Sequence, residues 1–266
     1  MPRAKARAPG AELGELRILV TNDDGIHAPG LKVLEKIARQ LSGDVWVVAP
    51  ESEQSGASHS LTLTEPLRIR EISERRFSVR GTPTDCVMMA MHHIIEDPRP
   101  SLVLSGVNRG GNLGEDVTYS GTIAAAMEGA ILGVPSIALS QVMSPGQPVK
   151  WATAEHHAPA LIRRLLAAGW PDGVLINVNF PGVPHGSVTG VRAAVQGRRD
   201  ISGLFIDARV DARGVPYFWL GFRREVGVPD PESDLGVVAA GGIAVTPLQL
   251  DLTHLEAHRA LRESLE

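Results

Sequence analysis

Asp23 and Asp24 stand side by side in Ile18-Leu-Val-Thr-Asn22-Asp23-Asp24-Gly25, directly after a short apolar run. Adjacent carboxylates repel unless positive charge lies beside them. Carboxylate oxygens suit hard divalent cations such as Mg²⁺, Mn²⁺ and Ca²⁺. Asp-Asp-Gly by itself also suits a plain turn or helix entry. What raises the metal reading is the company these residues keep.

Three loops leave the carboxyl ends of predicted parallel strands. Asn22–Ala28 brings Asp23 and Asp24. Pro50–Ser60 brings Ser52, Ser55, Ser58, His59 and Ser60. Gly106–Tyr119 brings Asn108, Arg109, Asn112 and Asp116. In a doubly wound sheet such loops converge on one crevice, and together they offer oxygen donors for a hard cation. Ser120-Gly121-Thr122 opens a helix of small residues. It reads either as an ordinary N-cap or as an anion site, because the free N–H groups and the helix dipole favour negative charge. A cation and a helix N-terminus in one crevice suggest phosphate chemistry.

The elements that position these loops follow from hydrophobic patterning. Arg17–Thr21 reads as a buried strand, followed by a helix from Pro29 to about Leu41 and a strand at Asp44–Ala49. Thr82-Pro83-Thr84-Asp85 is a helix start with a cap and a first-turn proline, and that helix runs to about Ile95. Ser101–Leu104 is the next strand; then come the helix Ile123–Leu132, a strand at Ser136–Ser140, a helix at about Ala152–Ala167 interrupted or kinked at Pro159, and a strand at Val174–Asn179. Alternation of strand and helix gives the expected class, α/β, with a Rossmann-like, doubly wound, mostly parallel three-layer sheet. After Pro181, Val188–Val195 and Val215–Phe222 read as antiparallel strands of a projecting hairpin arm. Ile243–Thr246 is a closing strand, and a last helix starts at Thr253 with Glu256 in a capping box. The expected organisation is a tail over residues 1–15 and one domain over 16–266, with an arm at 182–230 and a C-terminal strand and helix at 231–266.

With 43% apolar and 21% charged residues, the 266-residue chain has ordinary globular composition. A net charge of −4 argues against a nucleic-acid-coating protein. Cys86, the single cysteine, lies in an apolar run and reads as core, which fits a reducing, cytoplasmic setting. No stretch approaches a membrane span, and residues 1–15 lack the apolar core of a secretory signal. The expectation is therefore no membrane and no nucleic-acid polymer as partner.

Five ordered motifs together resemble the SurE (survival protein E) family of metal-dependent nucleotidases. They are Ile18–Gly25, Val48-Ala-Pro50 with Ser55 and His59-Ser60, Gly81–Cys86, Ser105–Gly110 and Tyr119–Thr122. The resemblance runs from about Arg17 to Leu261. It implies a 5′/3′-nucleotidase acting on nucleoside monophosphates, with side activity on short polyphosphate. It implies one divalent metal per subunit (Mg²⁺, Mn²⁺ or similar) on Asp23, Asp24, Ser55 and Asn108. It also implies a homodimer or homotetramer in which the C-terminal region is exchanged between subunits.

On that footing Asp23 is the expected catalytic carboxylate, with Asn22 beside it. Asn108, Gly110, Asn112, Ser120, Gly121 and Thr122 are expected to hold phosphate oxygens. The Asp-x-Asp spacing of aspartyl-phosphate phosphatases is absent, so water is the expected nucleophile. Arg198 and Arg199 are basic residues that could reach in from the arm. The alternatives are a broad phosphatase or exopolyphosphatase, or a non-catalytic oligomer that binds metal or nucleotide. No G-x-G-x-x-G follows the first strand, which disfavours a dinucleotide-dependent enzyme.

Overall fold

A computed structural model describes residues 16–198, 204–222 and 228–266. The expected residue 1–15 tail lies outside the described residues. The main sheet has nine strands in the order β3-β4-β2-β1-β5-β6-β7-β11-β8. These are β1 (Arg17–Thr21), β2 (Asp44–Pro50), β3 (Arg68–Ser73), β4 (Arg76–Arg80), β5 (Leu102–Arg109), β6 (Ser136–Gln141), β7 (Val174–Phe180), β8 (Val191–Ala193) and β11 (Ile243–Gln249). All neighbouring pairs are parallel except β3 with β4 and β7 with β11. The expected α/β, mostly parallel architecture is what the chain adopts.

Helices cover both faces. On one, α1 (Pro29–Arg39) and α4 (Trp151–Ala168) pack over a core that includes Ile18, Val20, Leu34, Val47, Leu104 and Ile162. On the other, α2 (Pro83–Met89), which continues as a wider turn over Ala90–Ile94, packs beside α3 (Gly121–Ile131). Burial on both faces explains why the central strands are apolar runs rather than alternating ones. The predicted start of α2 holds. Thr82 accepts from the Asp85 N–H at 3.1 Å, and Asp85 accepts from the Thr82 N–H at 2.8 Å. Cys86 is fully buried beneath it, and burial, then the Asp85 charge, pushes its thiol well above the usual range.

The strand order reverses at β1. β2 and β4 lie on one side of it and β5, β6 and β7 on the other, with Thr21 paired to Ser105. The carboxyl ends of β1 and β5 thus form the switch-point crevice where open α/β sheets hold ligands.

The second half of the chain departs from expectation in three places. Val191–Ala193 does not pair with Val215–Phe222; it runs parallel to β11 on the edge of the main sheet. The open edge of β11 offers a ladder, whereas the hairpin partner lies closer in sequence. β9 (Leu204–Val210) pairs with β10 (Pro216–Phe222) across a turn in which the Asp211 carboxylate accepts from Arg213 and Val215 N–H groups. The last helix, α6 (Leu255–Leu265), is capped by His254 Nδ1, which accepts from the Ala257 N–H. Thr253 instead bonds to Asp251 through both its N–H and its side chain. Third, α4 runs unbroken through Pro159. The β3–β4 hairpin and α5 (Asp234–Ala239) had no counterpart in the sequence reading.

Candidate active site

The chain turns sharply after β1 because Asn22 Nδ2 donates to the Gly25 carbonyl at 3.0 Å. This turn sends Asp23 and Asp24 in different directions. Asp23 is buried against the first turn of α3, where Thr122 Oγ1 donates to its Oδ1 at 2.5 Å. The Thr122 backbone N–H also bonds to it. Asp24 is less buried and accepts from the Arg109 N–H at 3.3 Å, which joins the ends of β1 and β5.

Gly121 is what allows this approach. A Cβ there would sit 2.8 Å from the Asp23 Cβ and 3.1 Å from Pro83. Ser120 caps α3, its Oγ accepting from the Ile123 N–H at 3.1 Å. Gly121 and Thr122, with Ser120 as the cap, therefore set Asp23 at the end of the helix where negative charge is favoured.

Electrostatically the site is short of positive charge. Burial raises Asp23 from an ordinary 3.8 to about 6; the Thr122 hydroxyl opposes this and the Asp24 charge adds to it. Burial also raises Asp24, opposed by the Arg109 N–H and reinforced by Glu53. No basic side chain is among the groups acting on Asp23. Beside it, Asn22 Oδ1 is buried without a hydrogen-bond partner.

Asn108, half-buried at the end of β5, donates from Nδ2 to the Gly110 carbonyl at 3.1 Å. The Pro50–Ser60 loop is tied to the same place: Gln54 N–H donates to the Asp23 carbonyl at 2.8 Å, and Ile26 N–H to the Pro50 carbonyl at 2.8 Å. Ser55 itself is exposed and donates to Glu53 at 2.8 Å. It makes no hydrogen bond to Asp23, Asp24 or Asn108. Further along the loop, Ser58 bonds to Thr118 and Tyr119 carbonyls, and His59 Nε2 lies 2.9 Å from the buried Glu128 of α3.

Asn112 has a different place from the one expected. Its N–H donates to Asn179 Oδ1 at 2.9 Å and its Nδ2 to Ser140 at 2.8 Å. Its carbonyl accepts from Asn177 at 2.8 Å and Asn179 at 3.0 Å. With its backbone N–H occupied in this buried amide network, Asn112 anchors the loop after β5. Arg198 is exposed, and Arg199 lies outside the described residues.

Four contributors were not expected from the sequence. Glu53 was one polar residue in a polar loop. Asn177 and Asn179 carried a visible signal, two amides spaced to one face of an otherwise apolar strand. Glu128 likewise is a lone carboxylate in a small-residue helix.

The residues fit a hard divalent cation by their chemistry. Two raised carboxylates, of which only Asp24 feels a basic side chain, that of Arg109, an orphaned buried amide oxygen and an adjacent amide side chain form an oxygen-donor set. The set is mixed: among the described residues, no three His, Cys, Asp or Glu side chains gather in a metal-ready cluster.

Comparison with known proteins agrees with this architecture. The family model described as survival protein SurE matches residues 18–203. The chain is 60% identical over 252 residues to the 5′-nucleotidase SurE of Parvibaculum lavamentivorans, covering 94% of this chain and 91% of that one. It is 58% identical over 253 residues to the protein of the same name from Paramagnetospirillum magneticum, covering 95% and 97%. The crystal structure of the SurE protein from Aquifex aeolicus superposes with a TM-score of 0.80 at 36% identity, covering 94% of this chain and 99% of that one. The chain belongs to the SurE family.

Proposed function

We propose that this protein is a nucleotidase, a phosphomonoesterase that releases phosphate from nucleoside 5′-monophosphates and also from 3′-monophosphates, with a divalent metal. The relatives' name, 5′-nucleotidase, supports the reaction class. The observation that carries the reading is the placement of Asp23, a buried carboxylate fixed by Thr122 at the N-terminus of α3, beside Asp24 and the end of β5.

Asp23, Asp24 and Asn108 would hold the cation, with Ser55 joining them by turning from Glu53. When bound, the cation supplies charge neutralisation at the phosphate and a more acidic water. The chain's own residues do the rest. Thr122 Oγ1 donates to Oδ1 of Asp23 and holds the carboxylate in place to accept a proton or orient water. Gly121 lets Asp23 lie against the start of α3, and the first turn of α3 supplies dipole and N–H groups. Asn22 offers an acceptor through Oδ1. Gly110 and the turn after Asn108 line the other wall.

Surface chemistry supports the proposed oligomer. β9 and β10 expose Ile206, Phe218, Trp219 and Leu220, each at least 60% accessible, and α6 is exposed along its length. A second and further copies, as a homodimer or homotetramer, would cover these apolar groups. No described helix is long and apolar enough to cross a membrane; with the buried Cys86 thiol, this supports a cytoplasmic placement.

Phosphate release from several nucleoside monophosphates, with and without added Mg²⁺ or Mn²⁺, tests the proposal. Metal-dependent release is expected; its absence with every nucleotide would overturn it in favour of a binding protein.

A further inference from the structure

On the edge of the main sheet lies a second concavity, of about 300 Å³, lined by Glu51, Arg68, Ile69, Arg70, Ser78 and Arg80. That size is at the lower end of small-ligand sites. Its chemistry follows from strand alternation. Val79, Ile69 and Phe77 face the core beneath α2 and α3. The residues between them, Arg68 and Arg70 on β3 and Ser78 and Arg80 on β4, therefore share the opposite face.

The register makes this arrangement costly. Arg68 is paired directly with Arg80, and Arg70 with Ser78. Like charges directly opposite on one face of an antiparallel pair are destabilising. Other arginines in this part of the sheet avoid the problem. Arg17 and Arg75 both meet Asp44, at 2.7 and 3.0 Å, and Arg76 meets Glu35 at 2.6 Å. Arg68, Arg70 and Arg80 have neither ion pair nor side-chain hydrogen bond among the described residues. Glu51 is the single carboxylate lining the cavity, so its walls carry a formal +2 (three arginines less one glutamate).

The cavity adjoins the candidate active site. Glu51 N–H is fixed to the Val79 carbonyl at 2.9 Å. The next residue, Ser52, presents its backbone to Gly25, 3.2 Å from where a Cβ would stand. Gly25 directly follows Asp24. On β4, Arg76 Nη2 donates to the Ile26 carbonyl at 2.7 Å, tying the same strand to the loop after β1.

We propose that Arg68, Arg70 and Arg80 form a second phosphate-binding site on the rim of the first. Planar guanidinium forks match phosphate oxygens bidentately, and an anion between them relieves the Arg68–Arg80 repulsion. Two sources supply that chemistry: the distal phosphates of a substrate longer than a monophosphate, or free phosphate acting as an effector. Assignment to a substrate rests on the proposed nucleotidase reading; the binding itself does not.

The test uses the full chain, stripped of divalent metal by a chelator and dialysed, so that Asp23 and Asp24 repel rather than recruit anions. Inorganic tripolyphosphate is titrated calorimetrically into wild type, the R68Q/R70Q double variant and R164Q, an exposed arginine on α4. These are surface substitutions, so the fold is retained. Binding to wild type, weakened about tenfold or more in R68Q/R70Q and unchanged in R164Q, is the expected result. No binding to wild type, equal binding by R68Q/R70Q, or an equal loss in R164Q would overturn the proposal. Kinetics with metal then separate the sources. A raised KM for tripolyphosphate with an unchanged KM for adenosine monophosphate identifies distal phosphates. A phosphate effect on adenosine monophosphate hydrolysis that the double variant loses identifies an effector. If neither protein hydrolyses any phosphate ester while the calorimetric difference persists, the nucleotidase reading fails and the binding site stands.

Discussion

Thr122 Oγ1 donates to Asp23 Oδ1 at 2.5 Å across 99 residues of sequence, joining the end of β1 to the start of α3. The hydroxyl holds the Asp23 carboxylate against the first turn of the helix. Thr122→Val removes the donor and keeps the shape. Such orienting partners of ligand carboxylates cost about 10–100-fold when lost. Thr122→Val is therefore expected to lower kcat by that order, while Thr122→Ser stays within a few-fold, in a phosphate-release assay.

Gly121→Ala tests the close approach of α3 to Asp23. The added methyl would meet Asp23 Cβ at 2.8 Å, with Pro83 on its other side. Overpacking of this kind costs about 1–3 kcal/mol. A lowered thermal midpoint together with reduced turnover is expected. Gly43→Ala, whose Cβ would meet nothing within 4 Å, should leave both unchanged.

Asp23 makes the metal-free protein's stability depend on pH. Its folded value of about 6 lies above the unfolded 3.8, so the folded state holds the proton more tightly. The stabilisation is complete below about pH 4 and is lost as pH rises through about 6. The size is on the order of 3 kcal/mol by neutral pH. Asp23→Asn, which cannot ionise, should therefore be more stable than wild type at pH 7–8 without metal, the gap closing towards pH 4. Denaturant melts across that range measure it. A gap that widens towards acid would contradict the assignment.

Asn179→Ala strips the Asn112 N–H and carbonyl of a buried partner. An unsatisfied buried donor costs about 1–3 kcal/mol. Lower stability and weaker activity are expected together, because the loop that carries Asn108 loses its anchor. Chemical denaturation and phosphate release, run on the same preparations, check both.

Local signals in the sequence were enough to read the turn and the caps that frame the candidate site. Asn22 to Gly25, the Thr82–Asp85 box and the Ser120 cap each depend on neighbours within a turn, and each forms as its residue types require. Asn112 did not, because its partners lie 65 and 67 residues away on β7. Val191–Ala193 was legible as a strand but not as a partner of β11, since pairing depends on which edge is open. The β3–β4 hairpin was hidden by charge: Arg68, Arg70 and Glu71 break the apolar alternation of its first strand, and an edge strand tolerates that.

The central claim is that Asp23 at the end of β1 is the carboxylate on which a metal-dependent phosphomonoesterase turns. Phosphate release from adenosine 5′-monophosphate by wild type and Asp23→Asn, with Mn²⁺ and with chelator, tests it most directly. The account predicts release by wild type that stops on chelation and returns with metal, and none by a folded Asp23→Asn. Normal release by Asp23→Asn, or release by wild type that chelation leaves untouched, would contradict it.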